Sequence, residues 1–307
     1  MDKKHTGVSH LLSRFRGWIQ AGATLLTNLH LPNFFKGGLY QGTGKTVCVP
    51  GLNCYSCPAA SGACPIGAFQ AVVGSSKFRF SYYITGFLIL LGVLLGRFIC
   101  GFLCPFGWFQ ELLHKIPTKK LSTKKLKPLT YLKYAVLLVM VFLLPAFLVN
   151  DVGMGDPFFC KYLCPQGVLE GAIPLSLANS GIRAALGSLF TWKFGILLAV
   201  IVLSVVFYRP FCKWLCPLGA FYALLNKVSL FQMKVDQNKC VSCGKCARAC
   251  KMDVDVTKSP NHTECIRCGM CIRACPTDAI RFRYGFGEGK DTEKTEKAVP
   301  APQNNTQ

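Results

Sequence analysis

Apolar residues gather into four runs, roughly 12–32, 81–99, 131–149 and 192–208, parted by stretches rich in Lys, Pro and Gly. Each approaches the ~20 residues that cross a ~30 Å hydrocarbon layer. The third, YLKYAVLLVMVFLLPAFLV, is the clearest. The first is interrupted by Gln20, Asn28 and His30 and lacks a small-residue cleavage site, so it predicts an uncleaved anchor rather than a signal peptide. Asn179 and Arg183 break the stretch 171–190, which predicts an interfacial or re-entrant helix. After Asp236 the pattern changes to short polar turns dense in cysteine, and the chain closes on GEGKDTEKTEKAVPAPQNNTQ, polar and Pro-containing, which reads as disordered. The pattern therefore predicts an α-helical membrane protein of about four transmembrane helices, divided into a membrane domain (1–231), a small domain (232–284) and a tail (285–307).

Composition agrees: 51% hydrophobic residues and a mean hydropathy of +0.35 are too apolar for an ordinary soluble chain of 307 residues. The net charge of +21 would suit nucleic acid if it formed one face or tail. Instead the Lys and Arg sit beside apolar runs, as topology determinants do, so no nucleic-acid partner is expected. Lys3, Lys4, Arg14 and Arg16 precede or open the first run and HKIPTKKLSTKKLK joins the second to the third, whereas the next connection holds few cations. Both termini and the small domain are thus expected in the cytoplasm of a multi-pass plasma-membrane protein. Lys36, Lys45, Lys77 and Arg79 in the first outer loop pull the other way.

Eighteen cysteines then change the picture. Three stretches share one motif: FICGFLCPFGWFQELL, FFCKYLCPQGVLEGAI and PFCKWLCPLGAFYALL. On the expected topology Cys100, Cys104, Cys212 and Cys216 lie at the inner face, with Cys48, Cys54, Cys57, Cys64, Cys160 and Cys164 in the outer loops. The inner pairs are offset by 112 residues, and CPIGAF from Cys64 parallels CPQGVL from Cys164. Two tandem repeats about an axis along the membrane normal are expected. Cysteines at i and i+4 share one face of a helical turn, so C-x3-C presents two thiolates to one object. Two such motifs meeting supply the four thiolates of a [4Fe–4S] cube. One pair alone would read as small buried hydrophobes; three with the same CPxG flank do not. An inner cluster (Cys100, Cys104, Cys212, Cys216) and an outer one (Cys57, Cys64, Cys160, Cys164) are expected. Cys54 is the alternative to Cys57, because Cys57 and Cys64 are seven residues apart where the mate has four.

The small domain reads CVSCGKCARACKMDVDVTKSPNHTECIRCGMCIRACPTDAI, with C-x2-C-x2-C-x3-C twice. This is the two-cluster bacterial ferredoxin spacing, and it predicts an α+β ferredoxin-like domain. By its crossed rule Cys240, Cys243, Cys246 and Cys275 hold one cluster, and Cys265, Cys268, Cys271 and Cys250 the other. Tetrahedral zinc also uses C-x2-C but leaves the third and fourth cysteines of each run unexplained. Lys251 stands where a proline often follows the fourth cysteine.

Residues 14–284, with their apolar runs, C-x3-C-P motifs and terminal double ferredoxin run, resemble the NapH-type membrane polyferredoxins, related to the membrane half of the regulator NosR. The resemblance implies electron transfer between the membrane or cytoplasm, on a cytoplasmic donor or acceptor, and an extracytoplasmic redox protein, often with quinol or a flavin-bearing partner. The loop CVPGLNCYSCPAASGACPIGAF departs from the family by its extra cysteines. Four clusters would form a wire, yet two faces ~30 Å apart are too distant for one hop unless the Cys-Pro helices dip inward. A redox-sensing or maturation protein is the second class of function. GGLYQGTGKT is not a phosphate loop, since G-x4-G-K-[ST] would need glycine at Leu39. His30 and His114 read as packing or solvated groups, and Trp18, Trp108, Trp192 and Trp214 as interface anchors.

Overall fold

Proline writes the local grammar of the helical half. In this computed structural model, which describes residues 7–75, 82–151 and 153–285, helices Pro65–Gly74, Pro105–His114 and Pro217–Leu225 each open on a proline. The ring lacks an N–H that the first turn would leave unbonded anyway, and it forces the residue before it into extended backbone. That residue is Cys64, Cys104 or Cys216, at ψ of 125°, 115° and 111°. Cys164, before Pro165, matches at ψ 113°. Each thiol is thus placed at the mouth of a helix. Lys3, Lys4, Lys77, Arg79 and the tail from 286 onward lie outside the described residues.

Among the described residues, two helices are long and apolar enough to cross a membrane, Lys124–Phe147 and Ser188–Val206. They answer to the third and fourth apolar runs. Pro65–Gly74, Tyr82–Leu95 and Gly167–Ala178 are apolar but shorter. The second run ends early because Gly96 adopts a left-handed turn (φ +56°) that only glycine takes without cost, and the chain restarts as Phe98–Phe102. The first run becomes the helix Val8–Thr27, with Ser13 and Gln20 turned inward and Arg16 paired to Glu111 at 2.6 Å. Gly167–Ala178 stops at Asn179, whose Oδ1 accepts the Gly181 and Ile182 N–H groups and caps a further short helix, Ser180–Ala184.

The C-terminal part is a two-stranded antiparallel sheet, Phe231–Val235 against Ile280–Tyr284. It encloses two cysteine runs that repeat each other from Cys240 to Cys265. Ser242 and Arg267 occupy matching left-handed positions (φ 50° and 52°), and Gly244 and Gly269 do the same (67° and 75°). Non-glycine residues visit this region rarely, so its recurrence marks a loop shape fixed by what the cysteines must face.

This part is keyed into the helices. Arg267, 1% exposed, donates to Leu95 O (2.8 Å), Asn226 O (2.7 Å) and Ser229 Oγ (2.6 Å). Asn226 reaches back, donating to the His262 and Cys265 carbonyls (2.8 and 3.1 Å) and accepting the Arg97 N–H (3.0 Å). Glu264 sits between Arg97 (2.9 Å) and Lys133 (2.5 Å). Burial pushes its carboxyl up, but the two cations outweigh burial and hold it at about 2. Asn226→Ala strands three buried polar groups at this seam, so a loss of about 3 kcal/mol is expected. A melt of the purified protein in detergent checks it; a change within experimental error would show the seam held elsewhere.

Candidate metal centres

Two cavities organise the C-terminal cysteines. Cys240, Cys243, Cys246 and Cys275 line one of about 280 Å³. Cys250, Cys265, Cys268 and Cys271 line a second, smaller one. Each takes three cysteines from one run and one from the other. Among the described residues no three His, Cys, Asp or Glu side chains converge as a single metal ion requires; the thiols surround a space instead. Burial pushes Cys265 up to about 12 and raises Cys246 and Cys250 as well. Such thiols stay protonated unless a bound cation makes them thiolates, which is what iron does.

In the helical half, glutamine decides which cysteines meet. Gln70 Nε2 donates to Cys160 Sγ (3.2 Å) while its Oε1 accepts the Phe159 N–H (2.9 Å). Gln110 repeats both bonds, to Cys212 Sγ (3.1 Å) and from Phe211 N–H (3.2 Å). Both glutamines stand six residues after a Cys-Pro cysteine, Cys64 or Cys104. The Cys64 helix is thereby paired with Cys160 and Cys164, and the Cys104 helix with Cys212 and Cys216. The inner four are all buried and within electrostatic reach of one another.

In the outer region five cysteines line one cavity. A cavity of about 520 Å³ is lined by Cys48, Cys54, Cys64, Cys160 and Cys164. Cys57 is not among them: it is buried with Ala59 and Ala60, its Sγ 3.6 Å from Asn28 Oδ1. Cys54 is brought in by Glu170, which holds the six-residue position after Cys164 and accepts the Cys54 N–H at 3.1 Å. Tyr222, in the same position after Cys216, donates to Pro50 O at 3.1 Å.

Two arginines escaped the sequence reading. Arg97 and Arg209 precede Cys100 and Cys212 by three residues, at the same 112-residue offset, and neither is exposed. That offset was the signal that could have found them. Arg209 also crowds one glycine of the CPxG motifs: a β-carbon on Gly107 would lie 3.0 Å from Arg209 Nη1. Other tempting residues are structural. Lys45 donates to Tyr55 O (2.5 Å), which staples the outer loop. His30 stacks on Tyr40, and His114 Nδ1 bonds Ser204 O. Trp214 is no interface anchor but a buried ring against Phe207.

Backbone beside one cysteine set approaches backbone beside the next. A β-carbon on Gly101, beside Cys100, would lie 2.3 Å from Ile266 O in the second ferredoxin run. One on Gly51, in the outer loop, would lie 2.8 Å from Cys104 Cα.

Comparison with known proteins matches these regions. A 4Fe-4S binding domain family covers residues 62–83, 80–124, 133–173 and 189–236, and a second 4Fe-4S binding domain family covers 233–254 and 259–281. The chain is 32% identical over 209 residues to the uncharacterized protein MJ0750 of Methanocaldococcus jannaschii, covering 65% of this chain and 77% of that one. It is 29% identical over 150 residues to the ferredoxin-type protein NapH of Haemophilus influenzae (36% of this chain, 52% of the relative). To the putative electron transport protein YccM of Escherichia coli it is 26% identical over 180 residues (55% and 45%). The chain belongs to the NapH-type polyferredoxin family. It spans about half the length of the NapH and YccM relatives. No solved structure matches it. As a polyferredoxin of this type it has iron–sulfur binding domains over both the helical half and the C-terminal part.

The placement of Cys54 and Cys57 separates two otherwise similar substitutions. Cys54→Ser should remove one cluster's spectroscopic signal and about four irons per chain, while Cys57→Ser should leave both unchanged. Electron paramagnetic resonance with iron analysis on anaerobically purified protein reads the difference, and the opposite result would return Cys57 to the outer set.

Proposed function

We propose that this polyferredoxin is a membrane-embedded electron relay with four [4Fe–4S] sites in series, running from the cytoplasmic C-terminal part to the outer loop. The observation that carries this reading is the close approach of backbone beside successive cysteine sets, Gly101 against Ile266 and the outer-loop Gly51 against Cys104. When bound, the clusters supply one-electron chemistry. The chain's residues do the rest. Cys240, Cys243, Cys246 and Cys275 hold the first site; Cys250, Cys265, Cys268 and Cys271 the second; Cys100, Cys104, Cys212 and Cys216 the third; and Cys54, Cys64, Cys160 and Cys164 the fourth. Gln70 and Gln110 donate N–H to cysteine sulfur, a bond that tunes a cluster's potential.

Four spans, a multi-pass plasma-membrane location and cytoplasmic termini belong to the same reading. Lys124–Phe147 and Ser188–Val206 serve as full spans, and Val8–Thr27 and Tyr82–Leu95 complete the set with their flanking turns. The ~30 Å between faces is not bridged in one hop. The outer loop folds inward instead, with Leu52 2% exposed and its neighbour Gly51 against Cys104. A cytoplasmic reductant or oxidant would meet the first site at the exposed Cys243, and an extracytoplasmic redox protein would meet the fourth. Quinone and flavin-bearing partners fit the same scheme at either end.

About sixteen irons and sixteen sulfides per chain are expected on anaerobic purification, against about eight if only the ferredoxin-type sites fill. In sealed vesicles, a donor on one side should reduce an acceptor on the other at steady state; failure with all sixteen irons present would favour a sensing role. A thiol introduced as Ser122→Cys, in the exposed loop between the second and third runs, should react with an impermeant reagent only from the cytoplasmic side. Labelling from outside would reverse the direction of the relay.

A further inference from the structure

The inner cysteine set is ringed by charge arranged in two matching groups. Glu264 lies between Arg97 (2.9 Å) and Lys133 (2.5 Å). Glu111 lies between Arg209 (2.9 Å) and Arg16 (2.6 Å) and also accepts the Tyr208 hydroxyl. Each group pairs two cations with one carboxylate, leaving one positive charge in excess. Arg97, Lys133 and Arg209 have fully buried side chains, so these charges are not screened by water.

The arginines are also incompletely used. Arg97 Nη1 donates to Thr263 O and Glu264, both at 2.9 Å, and Arg209 Nη1 donates to the Cys100 carbonyl. The Nε of each, and Nη2 of Arg97, are buried without a hydrogen-bond partner. A guanidinium N–H left unpaired out of water is costly, and one in each of two equivalent side chains calls for an acceptor. Both guanidinium groups are within electrostatic reach of the inner thiols, Arg97 of Cys100 and Cys212, and Arg209 of Cys104 and Cys212. Arg209 is held there by a left-handed backbone (φ 49°, ψ 55°) that a residue with a β-carbon adopts only against strain.

We propose that the Arg97–Glu264–Lys133 and Arg209–Glu111–Arg16 groups are the built-in counter-charge of the inner cluster, and that Arg97 and Arg209 set its reduction potential as positioning residues for electron transfer. The inference rests on the inner four cysteines holding a [4Fe–4S] cluster, as proposed above. Four thiolates around an oxidised cube make a dianion, and one electron from the neighbouring ferredoxin-type site makes a trianion, with no bond formed or broken. Two excess positive charges balance the first state and favour the second. An apolar bundle without them would expel the ligand set or hold it oxidised.

Potentiometric titration of the inner cluster's resonance signal, on the full chain purified anaerobically, tests this with a sign. Arg97→Gln and Arg209→Gln should each move the midpoint to more negative values, and the double variant further. Glu111→Gln, which removes an anion, should move it to more positive values. Arg97→Lys and Arg209→Lys keep the charge and should stay near the parent midpoint. Purely structural residues would not give opposite shifts. Shifts of one sign in all variants, or none with cluster content intact, would overturn the proposal. Should the Gln variants lose the cluster, retention in the Lys variants supports it, and loss there too overturns it. If the parent chain yields only about eight irons, it is the inner site itself that fails, before any midpoint is read.

Discussion

A carboxamide buried away from water must place both its carbonyl and its N–H groups, and Gln70 and Gln110 give one N–H to their own helix, at Ile66 O and Phe106 O, and the rest to one facing segment: an N–H to the cysteine sulfur, the carbonyl to the preceding backbone N–H. Neither bond forms unless the opposite C-x3-C turn sits in register. The pairing of helices, and so the choice of which thiols share a space, follows from this requirement. The same sequence position carries Glu170 and Tyr222 in the other two modules, and each ties in the outer loop, at Cys54 or at Pro50. Two glutamines thus set the pairs, and their two counterparts hold the loop that completes them.

The ionic groups follow from the same burial. Thiolates gathered in an apolar bundle need compensating charge, and buried cations stand close by: Arg97 and Arg209 at helix starts, Lys133 at the edge of the longest apolar run. Glu264 comes from the C-terminal part, so one of the two charge groups exists only when that part is docked. Docking and the electrostatics of the bundle are one arrangement.

The ferredoxin-type runs were legible in the sequence because their ligands are mostly local; the loop shape is written in the spacing and in glycines at Gly244 and Gly269. The C-x3-C-P turns were legible for the same reason. What spacing could not show was contact at a distance. Along the chain Cys54 could only stand as the alternative to Cys57; distant partners tell them apart, the Glu170 carboxylate, 116 residues from Cys54, and Asn28 beside the Cys57 thiol. Apolar runs overstate helix length where a single glycine, Gly96, turns the chain. Arg97 and Arg209 escaped notice because charge beside an apolar run ordinarily stays at the surface.

Arg267 gives the C-terminal part a mechanical character. With its guanidinium plugged into the carbonyls of Leu95 and Asn226, between two cysteines of the second site, this part is not a carrier swinging on a tether. A tethered carrier delivers electrons at a rate set by linker length and local concentration. A fixed terminal must wait for its partner to arrive by diffusion, so turnover becomes bimolecular at this end and responds to partner concentration and ionic strength rather than to internal motion.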